Sequence, residues 1–166
     1  MYQQLPDEIT LVDTGLFRDG TVACYLLESE DEAAIIETGN FLTTKRLLDL
    51  LEQKNIAREK VRYVIPTHVH LDHACGAGSL IESLPKAMLV IHPNGARHML
   101  DPSKLIAGAQ AVYSEKKFNE FYGDIKAIPE DRMIIAEDNY QLKFGSRTLL
   151  FRDTPGHANH HFCVWD

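Results

Sequence analysis

The chain is poor in cysteine, and what it has is unpaired. Cys24, Cys75 and Cys163 lie far apart in the 166 residues, with no C-x-x-C pair among them. An odd, dispersed set argues against a secreted disulfide framework and for reduced thiols, hence a cytoplasmic setting. Long apolar runs are missing too, so no transmembrane helix is expected. The amino terminus has no basic stretch followed by an apolar one, so no secretory signal is expected either. Positive charge is scarce: 17 basic residues face 24 acidic ones, the net charge is -7, and no Lys/Arg run exceeds two. Nucleic acids and anionic membranes need a concentrated basic patch, so neither is an expected partner. There is no internal repeat, low-complexity tract or linker. Residues 1–166 therefore read as one domain, long enough to bury a core without disulfides.

What is present is a regular succession of short elements. Residues 9–17, Thr21 to Leu27 and Ala33 to Glu37 read as three strands of an antiparallel meander, with Cys24 as a small buried hydrophobe. Phe41, Leu47, Leu48, Leu51 and Ile56 form a helical stripe that Thr43 or Thr44 would cap. Val61 to Ile65 is nearly unbroken apolar, as expected of a strand covered on both faces. Small residues from Cys75 to Ile81 begin a helix able to approach its neighbours closely. After a strand over Ala87 to Ile91, Pro93 starts a run of short helices, a helical insertion over about 93–125. Its aromatic residues Phe118, Phe121 and Tyr122 suit packing. The chain then returns to β structure over Met133 to Ile135, a hairpin from Tyr140 to Arg152, and a strand over Phe162 to Trp165.

The chemistry concentrates in Thr67-His68-Val69-His70-Leu71-Asp72-His73, directly after the buried strand. Imidazole is the commonest biological metal ligand, and carboxylate is a frequent companion. In an extended segment His68 and His70 point to one side and can pinch one ion. Asp72 and His73, where the chain turns, can address a second. His157 also follows a strand, after a Pro-Gly turn, and can complete a three-imidazole set with His68 and His70. Three nitrogens leave an open fourth position, the mark of a catalytic rather than a structural site.

His68-x-His70-x-Asp72-His73, with Thr154-Pro155-Gly156-His157 far downstream and Ile35-Ile36-Glu37-Thr38-Gly39 upstream, resembles the metallo-β-lactamase superfamily. The resemblance spans Ile9 to Asp166. It implies an α/β fold, the four-layer αββα sandwich of that superfamily, here without its C-terminal part. It also implies two divalent metal ions, zinc first, with iron or manganese as alternatives. His68, His70 and His157 would hold one ion; Asp72 and His73 would belong to the second, Asp72 also serving catalysis. The implied activity is hydrolysis of an ester, thioester, phosphoester or related bond by a metal-bound hydroxide. The alternatives are a di-iron redox or oxygen-binding protein on the same fold, and a non-catalytic ligand-binding form. The expected partner is a small-molecule substrate, with homo-oligomerisation left open.

Three departures from the family pattern stand out. Glu37 replaces the usual aspartate behind the metal ligands. In the tract Gly156 to His161, His160 replaces a glycine. Adjacent histidines on a strand face opposite ways, so only one of His160 and His161 should reach the site, with His161 as the candidate; His92 and His98 read as ordinary, partly exposed histidines. Nothing after His157 supplies the family's bridging aspartate or last histidine, Asp166 reading as a turn residue, so the sequence is expected to be the N-terminal portion of a longer protein.

Overall fold

Side-chain alternation sorts the strands into two apolar faces. In the computed structural model, which describes residues 2–166, Leu26 of β3 (Ala23–Ser29) joins a cluster with the helices. Its neighbour Leu27 points the opposite way, into a second cluster. The same division separates Ile35 from Ala34 in β4 (Glu32–Ile36), Val64 from Ile65 in β5 (Val61–Ile65), and Leu89 from Val90 in β6 (Met88–Ile91). A period of two residues with both faces apolar requires cover on both sides of the sheet.

That sheet has seven strands in sequence order, from β1 (Tyr2–Gln4) and β2 (Ile9–Asp13) to β7 (Met133–Ile135). The first four are antiparallel, and β4 through β7 run parallel. Parallel neighbours need crossovers, and helices supply them. α1 (Phe41–Gln53) links β4 to β5, while α2 (Leu71–Ala74) and α3 (Ala77–Ser83) link β5 to β6. α4 (Pro93–Leu100), α5 (Ser103–Val112) and α6 (Glu115–Phe121) link β6 to β7. Leu47, Leu50, Leu51, Leu80 and Leu84 from these crossovers cover one face.

The other face meets a three-stranded antiparallel sheet in the order β10 (Phe162–Trp165), β9 (Arg147–Asp153), β8 (Gln141–Phe144). Phe144, Phe151 and Phe162 line its inner side against Leu27, Ala34, Ile65 and Val90. The result is three layers of the expected sandwich: helices, large sheet, small sheet. The outer side of the small sheet carries exposed Gln141, Lys143, Thr148, Arg152 and Trp165. Among the described residues no helix is long and apolar enough to cross a membrane.

The cap of α1 differs from expectation. Asn40, not Thr43 or Thr44, is the N-cap: its Oδ1 accepts from the amides of Leu42 (3.1 Å) and Thr43 (3.2 Å), and Thr43 Oγ1 accepts from Asn40 N at 3.3 Å. Thr43 is the third helical residue, completing a capping box rather than starting the helix. Asn40 Nδ2 also donates to the carbonyl of Phe121 at 2.7 Å, tying α1 to the end of α6. Asn40→Ala should lower stability by about 1–2 kcal/mol, read as the midpoint of urea unfolding.

Candidate metal centre

The carboxyl ends of the parallel strands, where open α/β sheets gather their ligands, carry the histidines. β4 runs into Glu37, β5 into His68 and His70, and β6 into His92. β9, in the other sheet, runs into the loop that bears His157. Cross-links hold that loop against the first sheet. Asn94 Nδ2 donates to the carbonyl of Asn159 (2.9 Å), the amide of Val69 donates to His160 Nδ1 (3.3 Å), and the amide of Phe162 donates to the carbonyl of Thr67 (3.0 Å). His92 Nε2 meets Asp153 Oδ1 at 3.1 Å.

His68, His70 and His157 come together: one nitrogen from each lies within 4.8 Å of the others, and His70 Nδ1 is 3.0 Å from His157 Nε2. A chain of contacts behind them fixes the tautomer of His68. The single hydroxyl hydrogen of Thr67 is donated to the Glu37 carboxylate, so Thr67 Oγ1 can only accept from His68 Nδ1, 3.0 Å away. The lone pair of His68 is thereby left on Nε2, which is buried and has no partner. Burial, reinforced by the surrounding imidazoles, pushes the His68 pKa down to about 3, so the ring stays neutral. A neutral imidazole with a free, buried lone pair suits a cation, and the histidine set is placed for metal binding.

Asp72 and His73 stand beside this group, in the first turn of α2. His73 Nε2 lies 3.4 Å from Asp72 Oδ2, and its Nδ1 lies 3.2 Å from Glu37 Oε1, an ion contact that leaves Nδ1 without a hydrogen-bond partner. Glu37, His68 and His73 form a second close group; the Asp72 carboxylate belongs to neither. Burial works against a charge on His73, but the carboxylates of Asp72 and Glu37 outweigh it and raise the pKa to about 9. His73 in turn holds the Asp72 carboxyl below its ordinary value. Thr38 anchors this turn: its amide (2.8 Å) and its hydroxyl (2.7 Å) both donate to the carbonyl of His73. Gly76 lets α3 approach, since a Cβ there would sit 2.6 Å from the carbonyl of Thr38.

Several histidines depart from expectation. His160 and His161 both approach the site, with ring centroids 6.2 Å and 5.1 Å from His68. The strand begins only at Phe162, so strand alternation does not govern His160. His92 is buried, capping α4 by accepting from Asn94 N at 3.0 Å. Thr67 went unmarked because its role depends on Glu37, 30 residues away. Leu71 and Cys75 pack with residues of α5 and α6, so the helical segment borders the turn that bears Asp72.

The perturbed histidines predict a bell-shaped stability profile for the metal-free protein. His73 is raised from 6.5 to about 9, so its stabilisation is complete below 6.5 and is lost as pH rises toward 9. His68 and His160 are lowered, to about 3 and about 4, chiefly by burial, so stability is lost as pH falls below 6.5. The midpoint of chemical unfolding should therefore peak near pH 6.5, the ordinary histidine value. A plateau from pH 5 to 9, in the range where stability is commonly greatest, would contradict it.

A β-β sandwich flanked by helices, with clustered histidines at one edge, defines the class. The chain belongs to the metallo-beta-lactamase superfamily, whose model matches residues 17–166. It is 30% identical over 112 residues to a metallo-beta-lactamase fold-containing protein of Sulfurisphaera tokodaii, covering 64% of this chain and 41% of that protein. It is 24% identical over 170 residues to an N-acyl homoserine lactonase of a Bacillus species, covering 89% of this chain and 58% of the lactonase. Among solved structures it resembles a Cronobacter sakazakii metallo-beta-lactamase (TM-score 0.73, 18% identity, 99% of this chain and 58% of the other). It also resembles the subclass B3 metallo-beta-lactamase BJP-1 of Bradyrhizobium japonicum (TM-score 0.71, 19% identity, 98% and 55%). The chain thus spans about half the length of the proteins it matches.

Proposed function

We propose that this chain carries the histidine-rich half of a metal-dependent hydrolase acting on a small-molecule ester, thioester, phosphoester or related bond. His68, His70 and His157 hold one divalent ion, and His73 with Asp72 belongs to the position beside it. Zinc suits this nitrogen-rich set first, with iron or manganese as alternatives. The observation that carries the reading is the unpartnered, buried Nε2 of His68, on a ring that brings a nitrogen within 4.8 Å of those of His70 and His157. A bound ion there would polarise a carbonyl or phosphoryl oxygen and make water acidic enough to attack near neutral pH.

The protein's own groups have distinct parts in this chemistry. Thr67 and Glu37 keep the His68 proton on Nδ1, so its Nε2 offers a lone pair. Asp72, a carboxylate at neutral pH whose pKa His73 lowers further, would orient a water and take its proton. His73, charged between two carboxylates in the free protein, gives up a proton when the second position fills. The relationship to an N-acyl homoserine lactonase supports testing lactones beside open-chain esters.

The deciding experiment is metal analysis after dialysis, followed by hydrolysis assays on ester, thioester, phosphodiester and lactone panels with and without chelator. Metal retention with chelator-sensitive turnover is expected. Turnover indifferent to chelator, or a chain that retains no metal at any pH, would sink the reading. Thr67→Val tests the tautomer argument: removing the hydroxyl should weaken metal affinity by about 10-fold or more, measured by competition with a chromophoric chelator.

A further inference from the structure

Net charge is -7, yet one recess near the histidines carries two cations against one carboxylate. Arg97, His98, Asp101 and Lys104, at the corner between α4 and α5, line about 350 Å³. Among the described residues neither Arg97 nor Lys104 enters an ion pair. Arg97 Nε instead donates to His98 Nε2 at 3.3 Å. The one acid at the rim, Asp101, turns Oδ1 to the amide of Ser103 at the start of α5, 3.1 Å away. Neither cation is ion-paired with that carboxylate, although Lys104 lies near enough to add to the Ser103 amide in lowering the Asp101 pKa, so the recess keeps an excess of one positive charge.

The recess adjoins the metal centre through one side chain. The His98 ring lies 6.2 Å from that of His160, and the His160 ring lies 5.5 Å from that of His70. Asn94 of α4, bonded to the carbonyl of Asn159, holds the two segments in this relation. Burial together with the charges of Arg97 and Lys104 lowers the His98 pKa, consistent with a positive local potential.

We propose that this recess is a subsite for an anionic group, a carboxylate or a phosphate, carried by the substrate. Two unpaired cations can meet such a group with charge-assisted hydrogen bonds, Arg97 as a planar fork and Lys104 as a point charge. The substrate class narrows to acid-bearing esters, thioesters or related compounds whose charged end lies on the α4–α5 side of the scissile bond. The term substrate rests on the hydrolase reading; anion binding at the recess does not.

The test separates the two. Inorganic phosphate and succinate are titrated into the protein at constant ionic strength, with chloride as reference, following the His98 ring by NMR. A saturable shift is expected, its affinity falling about tenfold or more in the Arg97→Ala/Lys104→Ala variant and surviving in His157→Ala. Response to phosphate alone or to succinate alone names the source of the charge. A response equal to that of chloride, or one lost in His157→Ala and kept in the double variant, overturns the subsite. In parallel, matched esters with neutral, carboxylate and phosphate tails are assayed with metal-loaded protein. An acid-tail preference of about tenfold, expressed in KM and reduced in the double variant, is expected. Esters cleaved with no tail preference overturn the subsite and leave the hydrolase reading intact. Anion binding without cleavage of any ester, thioester, phosphodiester or lactone upholds the subsite and overturns the hydrolase.

Discussion

Replacing His68 and His70 together by alanine should abolish metal retention and lower hydrolysis on the order of 10³-fold or more, to background. The two residues supply two of the three nitrogens that converge at the β5 end, and nothing nearby takes their place. Neither His161, held at Nδ1 by Thr154 Oγ1 at 2.7 Å, nor His160, whose Nδ1 accepts from the amide of Val69, belongs to the close group of nitrogens. The fold should survive, because neither ring is part of the apolar clusters and burial leaves His68 neutral. Circular dichroism and the unfolding midpoint therefore need to stay close to those of the metal-free parent while bound metal falls to zero. Full turnover in the double variant would remove the basis of the proposed chemistry.

The second large effect concerns stability. Glu37→Ala should cost about 3 kcal/mol and lower Tm by about 6–12 °C, measured on the metal-free protein at neutral pH. Glu37 is buried, faces His73, and receives the Thr67 hydroxyl and, at 3.3 Å, the Thr67 amide. Its removal leaves a charged imidazole and two donors short of their acceptor. The backbone at Glu37 is in the left-handed region, φ 63°. Alanine keeps the Cβ, so it carries the same backbone strain and the comparison isolates the carboxylate. Glu37→Gln keeps an acceptor for Thr67 but not the charge beside His73, and should fall between parent and Glu37→Ala. A loss under 1 kcal/mol for Glu37→Ala would mean that the buried pair is already compensated by solvent.

Most of the fold could be read in advance because its signals are local. The paired apolar neighbours Leu26–Leu27 and Val64–Ile65 mark strands with two buried faces. Gly145-Ser146 marks the hairpin, and Pro93 marks the start of α4. β1 escaped because Tyr2–Gln4 is short and exposed, and only its register with Thr10 to Val12 makes it a strand. Asn40 escaped because Thr43 and Thr44 are equally good caps by residue type, and the choice depends on where α1 leaves β4. The histidine cluster was visible as a motif, and His157 by its place after a strand. Invisible were the contacts between distant segments: Glu37 with Thr67, His160 with Val69, His92 with Asp153. Each joins two strand ends that only the finished sheets bring together, so no periodicity announces it.

The 3.0 Å approach of His70 to His157 crosses from one sheet to the other and spans 87 residues of chain. On the proposed ligand set, an ion seated there would act as a reversible crosslink, tying two distant points much as a disulfide does. Fixing such a long segment removes freedom mainly from the unfolded chain, so the ion would hold the architecture together as well as serve the chemistry. Metal supply would then set the lifetime of the folded protein, with the small sheet the first part to loosen when the ion is withdrawn.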